Sequence, residues 1–211
     1  MGYVSPVDFI AVAESTGMIN ELGHLVFQKA CAQAAVLNRG SRQNIRIAVN
    51  VSYHQIQSME FVDYIDSCLR KFGISGDLLE IEITETSLAQ NKAMVINVLH
   101  ALNEIGVRTS IDDFGTGYSS LNYLACMPFD MIKIDKIFID LLGVSKKGMA
   151  ITDTIIQMGK TLNMKVLAEG VETKLQHNYL KKGLCDYIQG NLISEPVPAR
   201  KILQIEGMHK Q

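Results

Sequence analysis

The residues able to do chemistry fall where apolar runs stop. Asn50 comes late in IRIAVNVS, Glu82 and Glu85 close EIEITE, and Asp112 and Asp113 close SIDD. Lys133 and Asp135 close MIKID, Glu169 closes VLAE, and Gln189 closes DYIQ. Carboxylates gathered on one face repel and raise one another's pKa unless a cation intervenes. Donors that are all oxygen, with no His or Cys among them, select Mg²⁺ or Mn²⁺ over Zn²⁺. The five histidines (His24, His54, His100, His177 and His209) all lie away from these run ends, which disfavours a histidine base or nucleophilic triad. Lys133 is the one cation inside the acidic ring, either a counter-ion or the residue that holds an attacking water. Two metal ions about 4 Å apart beside a lysine suit in-line attack on a phosphodiester.

Each position also has a plainer reading. A lone acid or amide at a strand end commonly caps a helix or starts a turn, which suits Asn50 and Gln189. Asp113 can initiate a turn at Gly115, Asp135 can pair with Lys133 or Lys136, and Glu85 can cap a helix beginning at Ala89. The same placement recurring at every strand end is what favours a site. Asp112–Leu121 (DDFGTGYSSL) is the most specific local signal, two acids followed by glycines and small polar residues, and reads as a mobile loop leaving a strand. Its Gly-x-Gly alone is no phosphate cradle.

These residues need strands to converge them. Short β-rich runs lie at Ile45–Ser52, Leu78–Thr84, Val107–Asp112, Met131–Asp135, Lys165–Glu169 and Asp186–Gln189. Between them, Glu21–Asn38, Phe61–Phe72, Ala89–Glu104, Met149–Leu162 and Lys174–Lys182 repeat apolar residues at helical spacing, and Pro6–Glu14 predicts a further short helix. Gly73, Gly106 and Gly183 follow helices where a positive-φ cap is expected. Strand–helix units of about thirty residues imply parallel strands with crossover helices. The expectation is an α/β fold, a modified TIM-type (βα) barrel with six of its eight strands visible, incomplete at the N-terminus. In such a barrel the C-terminal strand ends form one face, and active sites are built there. The rival doubly wound sheet lacks a Gly-rich loop after the first strand.

Composition bounds the rest. The 211 residues contain 47% hydrophobic and 20% charged residues, a globular mixture. With 20 basic and 22 acidic side chains there is no cationic surplus for a nucleic-acid polymer. Cys31, Cys68, Cys126 and Cys185 are scattered and make no C-x-x-C pair, which suits reduced thiols in the cytoplasm. No apolar run approaches the roughly 18 residues of a spanning helix, and MGYVSP lacks a signal peptide's apolar core. A single cytoplasmic domain over residues 1–211 is expected.

The motifs VSPVDFIAVAESTGMI, NVS, EIEITET, DDFGTGYSSL, KIDKIFI, LAEGVET and IQGNLISEPVPA occur in that order. Together they resemble the EAL-domain family of cyclic di-GMP phosphodiesterases from Tyr3 to about Leu203. The resemblance implies a modified barrel that opens cyclic di-GMP to the linear dinucleotide pGpG with two Mg²⁺ or Mn²⁺ ions. It implies Asn50, Glu82, Asp112 and Asp113 as metal ligands, Glu169 as a further ligand or a catalytic residue oriented by the second metal, and Lys133 as the residue that positions or activates water, with Asp135 beside it. Glu85 would anchor the DDFGTG loop, and Gln189, with Asn50 and Asp135, would help hold the substrate. Asn191 and Ile193 stand where the family more often has aromatics.

The family's Glu-Ala-Leu motif, on a strand ahead of VSP, does not occur in these 211 residues. One metal ligand would then be missing, so impaired hydrolysis is expected. Free edges at the first and last strands would invite a dimer or oligomer. Membership in a longer sensor protein fits the same observation. The alternative is an inactive EAL-like module that binds nucleotide or protein. Proton abstraction of the enolase type and glycoside hydrolysis suit the carboxylates but not the motif order.

Overall fold

The computed structural model describes residues 4–39, 44–89, 92–116, 124 and 126–202. The chain forms two compact units, Met1–Thr109 and Ser110–Gln211. All strand pairs described are parallel, as the strand–helix alternation requires. Sheet order follows chain order, with β1–β2 in the first unit and β3–β4–β5–β6 in the second.

The first unit holds α1 (Pro6–Thr16), α2 (Ile19–Asn38), β1 (Ile47–Val51), α3 (Met59–Phe72), β2 (Leu79–Thr84) and α4 (Lys92–Glu104). Phe27, Ala30, Cys31, Ala34 and Leu37 recur at three- and four-residue steps along α2 and are all buried. Ser58 caps α3 by accepting from the Glu60 N–H at 3.0 Å, and Gly73 ends it at φ 63°. Before β1, the Asn38 amide donates to the Ile45 carbonyl at 2.8 Å and accepts from its N–H at 2.7 Å. One side chain thus occupies the backbone groups where the strand begins. In β2, Leu79, Ile81 and Ile83 are wholly buried on one face, while the other carries Glu80 and Glu82.

The second unit begins within β3 (Arg108–Phe114) and continues with β4 (Met131–Ile134), α5 (Lys136–Asp140) and α6 (Lys146–Thr161). It ends with β5 (Lys165–Ala168), α7 (Lys174–Lys182) and β6 (Tyr187–Ile188). Ile132, Ile134, Val166 and Ala168 are fully buried and form the helix-facing side of β4 and β5. Gly159 lets α6 approach that side, because a Cβ there would stand 2.3 Å from Val166 Cγ2.

The predicted elements recur with ends that coincide or shift by up to three residues, and α5 is added. Gly183 corrects one expectation: it stays right-handed at φ −70°, and Leu184 takes the left-handed turn at φ 62°. The Gly183 carbonyl accepts from Lys160 Nζ at 2.9 Å and the Leu184 N–H donates to Lys181 O, so the turn closes one residue later than a glycine cap would. Among the described residues no helix is long and apolar enough to cross a membrane.

Candidate metal and phosphodiester site

β4 and β5 pair with Lys133 opposite Leu167, and the Glu169 N–H donates to Ile134 O at 3.1 Å. Side chains of a strand alternate faces, so Lys133, Leu167 and Glu169 share the side opposite the buried isoleucines. Lys133 Nζ lies 2.7 Å from Glu169 Oε1 and 3.0 Å from Asp112 Oδ1, with the lysine side chain only 5% exposed.

Asp112 and Asp113 are consecutive, and a regular strand would turn them to opposite faces. The β3–β4 register prevents this: Ile111 pairs with Ile132 and Phe114 with Ile134, so β3 spends three steps where β4 spends two. The extra residue is a bulge, and Asp113 takes it up at φ 52°. Aspartate tolerates that conformation better than most residues. Carboxylate oxygens of Asp112, Asp113 and Glu169 consequently lie within 4.8 Å of one another. The Asp113 carboxyl is pushed up to about 6, first by burial, then by the Asp112 charge, a hydrogen bond with Asp135, and the charges of Asp135 and Glu169. The turn read at Asp113 exists as well, since its carbonyl accepts from the Thr116 hydroxyl at 2.8 Å. Gly115 is required there, because a Cβ would meet the Phe138 ring at 2.7 Å and φ is 98°. Residues 117–121 of the expected mobile loop lie outside the described residues.

Asp135 caps α5, its carboxylate accepting from the Ile137 N–H at 2.7 Å. Lys133 pairs with Asp112 and Glu169, and Lys136 pairs with Asp140 at 3.0 Å and Glu172 at 2.8 Å. Gln189 serves through its backbone, its N–H donating to Ala168 O and its carbonyl accepting from Val171 N. In the first unit Asn50 and Glu82 are direct register partners of β1 and β2, Asn50 exposed and Glu82 buried. Glu85 is buried and opens a 3₁₀ turn after β2. The predicted residues therefore fall into two sets, Asp112, Asp113, Lys133, Asp135, Glu169 and Gln189 in one unit, and Asn50, Glu82 and Glu85 in the other. Glu172 and Gln176, which with Lys136 buttress the Glu169 loop, are not among the candidates the sequence offers. The signal for Glu172 and Gln176 is the polar-rich stretch EGVETKLQ that begins at Glu169.

This donor set fits a hard divalent cation: three clustered carboxylates, one with its acid form favoured by burial and by neighbouring negative charge, and no nitrogen or sulfur ligand among them. Fold and site together define an α/β protein of parallel, TIM-barrel-like architecture with an acid-and-lysine centre where strands end.

The EAL domain family model matches residues 1–196, and the chain belongs to the EAL-domain family. Signaling protein YkoW of Bacillus subtilis is 41% identical over 199 residues, spanning 94% of this chain and 25% of that protein. Cyclic di-GMP phosphodiesterase NbdA of Pseudomonas aeruginosa is 40% identical over 197 residues, spanning 93% of this chain and 25% of NbdA. The chain thus spans about a quarter of the length of these curated relatives. The solved PaMucR phosphodiesterase in complex with c-di-GMP superposes with a TM-score of 0.89 at 37% identity, covering 95% of this chain and 81% of that one. The manganese and cy-diGMP complex of Klebsiella pneumoniae BlrP1 gives 0.80 at 29% identity, covering 91% and 48%.

Proposed function

We propose that this chain carries a divalent-metal-dependent phosphodiesterase site that hydrolyses cyclic di-GMP to linear pGpG. The observation that supports it is the buried Lys133 ammonium held between Asp112 and Glu169, with Asp113 beside them. Asp112, Asp113 and Glu169 would hold Mg²⁺ or Mn²⁺, and Asn50 and Glu82 are proposed as metal ligands on their motifs. Such ions supply a lowered water pKa and stabilisation of charge on the phosphoryl oxygens. Lys133 keeps its three donors in a fixed, water-poor position and so orients a nucleophilic water by hydrogen bonding. Glu169, bonded to that ammonium, sets its direction. Asp135 fixes the start of α5 and, through its hydrogen bond, the bulged Asp113. Gln189 and Glu85 are proposed as substrate-side and loop-anchoring residues. Residence in the cytoplasm, a dimeric state and membership in a longer sensor protein belong to the same proposal.

The test is chromatography of the linear product formed by residues 1–211 with Mn²⁺, with Glu169→Gln as control. Turnover that falls at least 100-fold in the variant supports the reading. Binding of cyclic di-GMP with no turnover in the unmodified chain at high concentration overturns the catalytic reading in favour of a binding module.

A further inference from the structure

Five residues of irregular backbone separate the end of β5 from α7, and they carry Glu169 at one end and Glu172 near the other. Such backbone needs partners for its N–H groups. The Val171 N–H donates to Gln189 O at 2.9 Å. The next two, of Glu172 and Thr173, both donate to the single side-chain oxygen of Gln176, each at 2.9 Å. The other half of that amide donates to the Ile139 carbonyl in α5 at 3.2 Å. Gln176 is buried, and Thr173 returns the contact by accepting from the Gln176 N–H at 3.2 Å. One buried amide therefore ties the segment following Glu169 to the helix that Asp135 caps. Outside it, Lys136 bridges the same two segments through Glu172, with Gly170 at φ 67° leaving room for the lysine stem, which a Cβ would meet at 2.4 Å.

We infer that Gln176 is a positioning residue for Glu169, holding the β5–α7 segment against α5 so that the Glu169 carboxylate stays on Lys133. The inference deepens the proposed function and rests on it for its consequence in metal binding. A capping glutamine that served only its own helix would have no need of the Ile139 carbonyl. The amide supplies what neither charged nor apolar residues can, an acceptor for two donors and a donor for one acceptor on a side chain that is itself buried.

The test compares Gln176→Ala and the isosteric Gln176→Glu with the unmodified chain by amide hydrogen exchange, Mn²⁺ titration and steady-state kinetics. Gln176→Ala is expected to speed exchange at Glu172 and Thr173 and also at Glu169, whose N–H bonds Ile134 O. Mn²⁺ affinity and kcat are expected to fall roughly tenfold, the lower end for residues outside the ligand shell, with KM for cyclic di-GMP nearly unchanged. Gln176→Glu keeps the two accepted bonds and loses the donated one, so it should fall between, and it carries the test if the alanine variant does not fold. Exchange at Glu169 that stays as in the unmodified chain, while melting temperature drops, overturns the inference and leaves Gln176 as a helix cap. If the unmodified chain binds no Mn²⁺, the functional reading fails, and exchange at Glu169 still decides the positioning role.

Discussion

Replacing Lys133 by methionine keeps most of the side-chain volume and removes the ammonium. The lysine lies 3.0 Å from Asp112 and 2.7 Å from Glu169. At an effective dielectric near 20 each contact is about 5–6 kcal/mol of gross Coulomb attraction, most of it offset by desolvation of the three ions. Removing one partner leaves the desolvation of the others uncompensated, and buried pairs broken this way lose about 3–5 kcal/mol. The Lys133→Met chain should therefore be destabilised by about 3–5 kcal/mol in urea, measured in chelator so that no metal contributes. Added Mn²⁺ should then restore more stability to the variant than to the unmodified chain, because three acids without an ammonium present more negative charge to a cation. Hydrolysis should stay lost even with Mn²⁺ saturating. A destabilisation below about 1 kcal/mol, the range of exposed pairs, or an equal Mn²⁺ effect on both proteins, would refute the reasoning that Lys133 neutralises a cation site.

Asp186 receives Lys165 Nζ at 2.7 Å and the Val166 N–H at 3.0 Å. Its burial alone would raise the carboxyl, but these donors together hold it below the ordinary value. The stabilisation is thus present above the unfolded value of about 3.9 and lost as pH falls through the lower folded value. Urea midpoints against pH should fall in acid for the unmodified chain and less steeply for Asp186→Asn. Gly76→Ala would put a Cβ 2.3 Å from the Ile105 carbonyl, a backbone atom that cannot turn aside, and should cost about 1–3 kcal/mol by thermal or urea unfolding. Gly73→Ala meets no atom within 4 Å and should cost about 1 kcal/mol, for its left-handed φ of 63° alone. A thiol reagent should label exposed Cys126 first in the native protein, with Cys31 and Cys68 protected by burial and the Cys31 and Cys185 thiols pushed up to about 11. Labelling of Cys31 at the rate of Cys126 would contradict that order.

Strands were legible because β-branched runs end sharply in polar residues, and helices because α2 and α3 repeat their buried positions at regular steps. α5 was not, since five residues give no period to read. The sequence shows Lys133 as a cation among acids, but that Asp112 and Glu169 are the two it meets needs the three-dimensional structure. SIDD shows Asp112 and Asp113 as an acid pair, and nothing in it announces that a bulge will turn both to one side. Gln176 reads as a solvated position in a polar helix start; only the fold shows it buried and shared between three backbone groups. The Gly183 cap failed because the turn closes on Leu184, a residue whose type gives no hint of left-handed backbone.

The bulge in β3 makes the site a matter of counting as well as of residue type. Ile111 and Phe114 are separated by two acids, while their partners Ile132 and Ile134 are separated by Lys133 alone. Deleting either acid would give a smoother strand with every ladder bond available, and leave the other acid in its place with no companion. Conversely, Asp112→Asn or Asp113→Asn would keep the irregular backbone and lose only charge. A length change of one residue therefore removes backbone placement as well as charge, and natural variation in this segment should be poor in gaps.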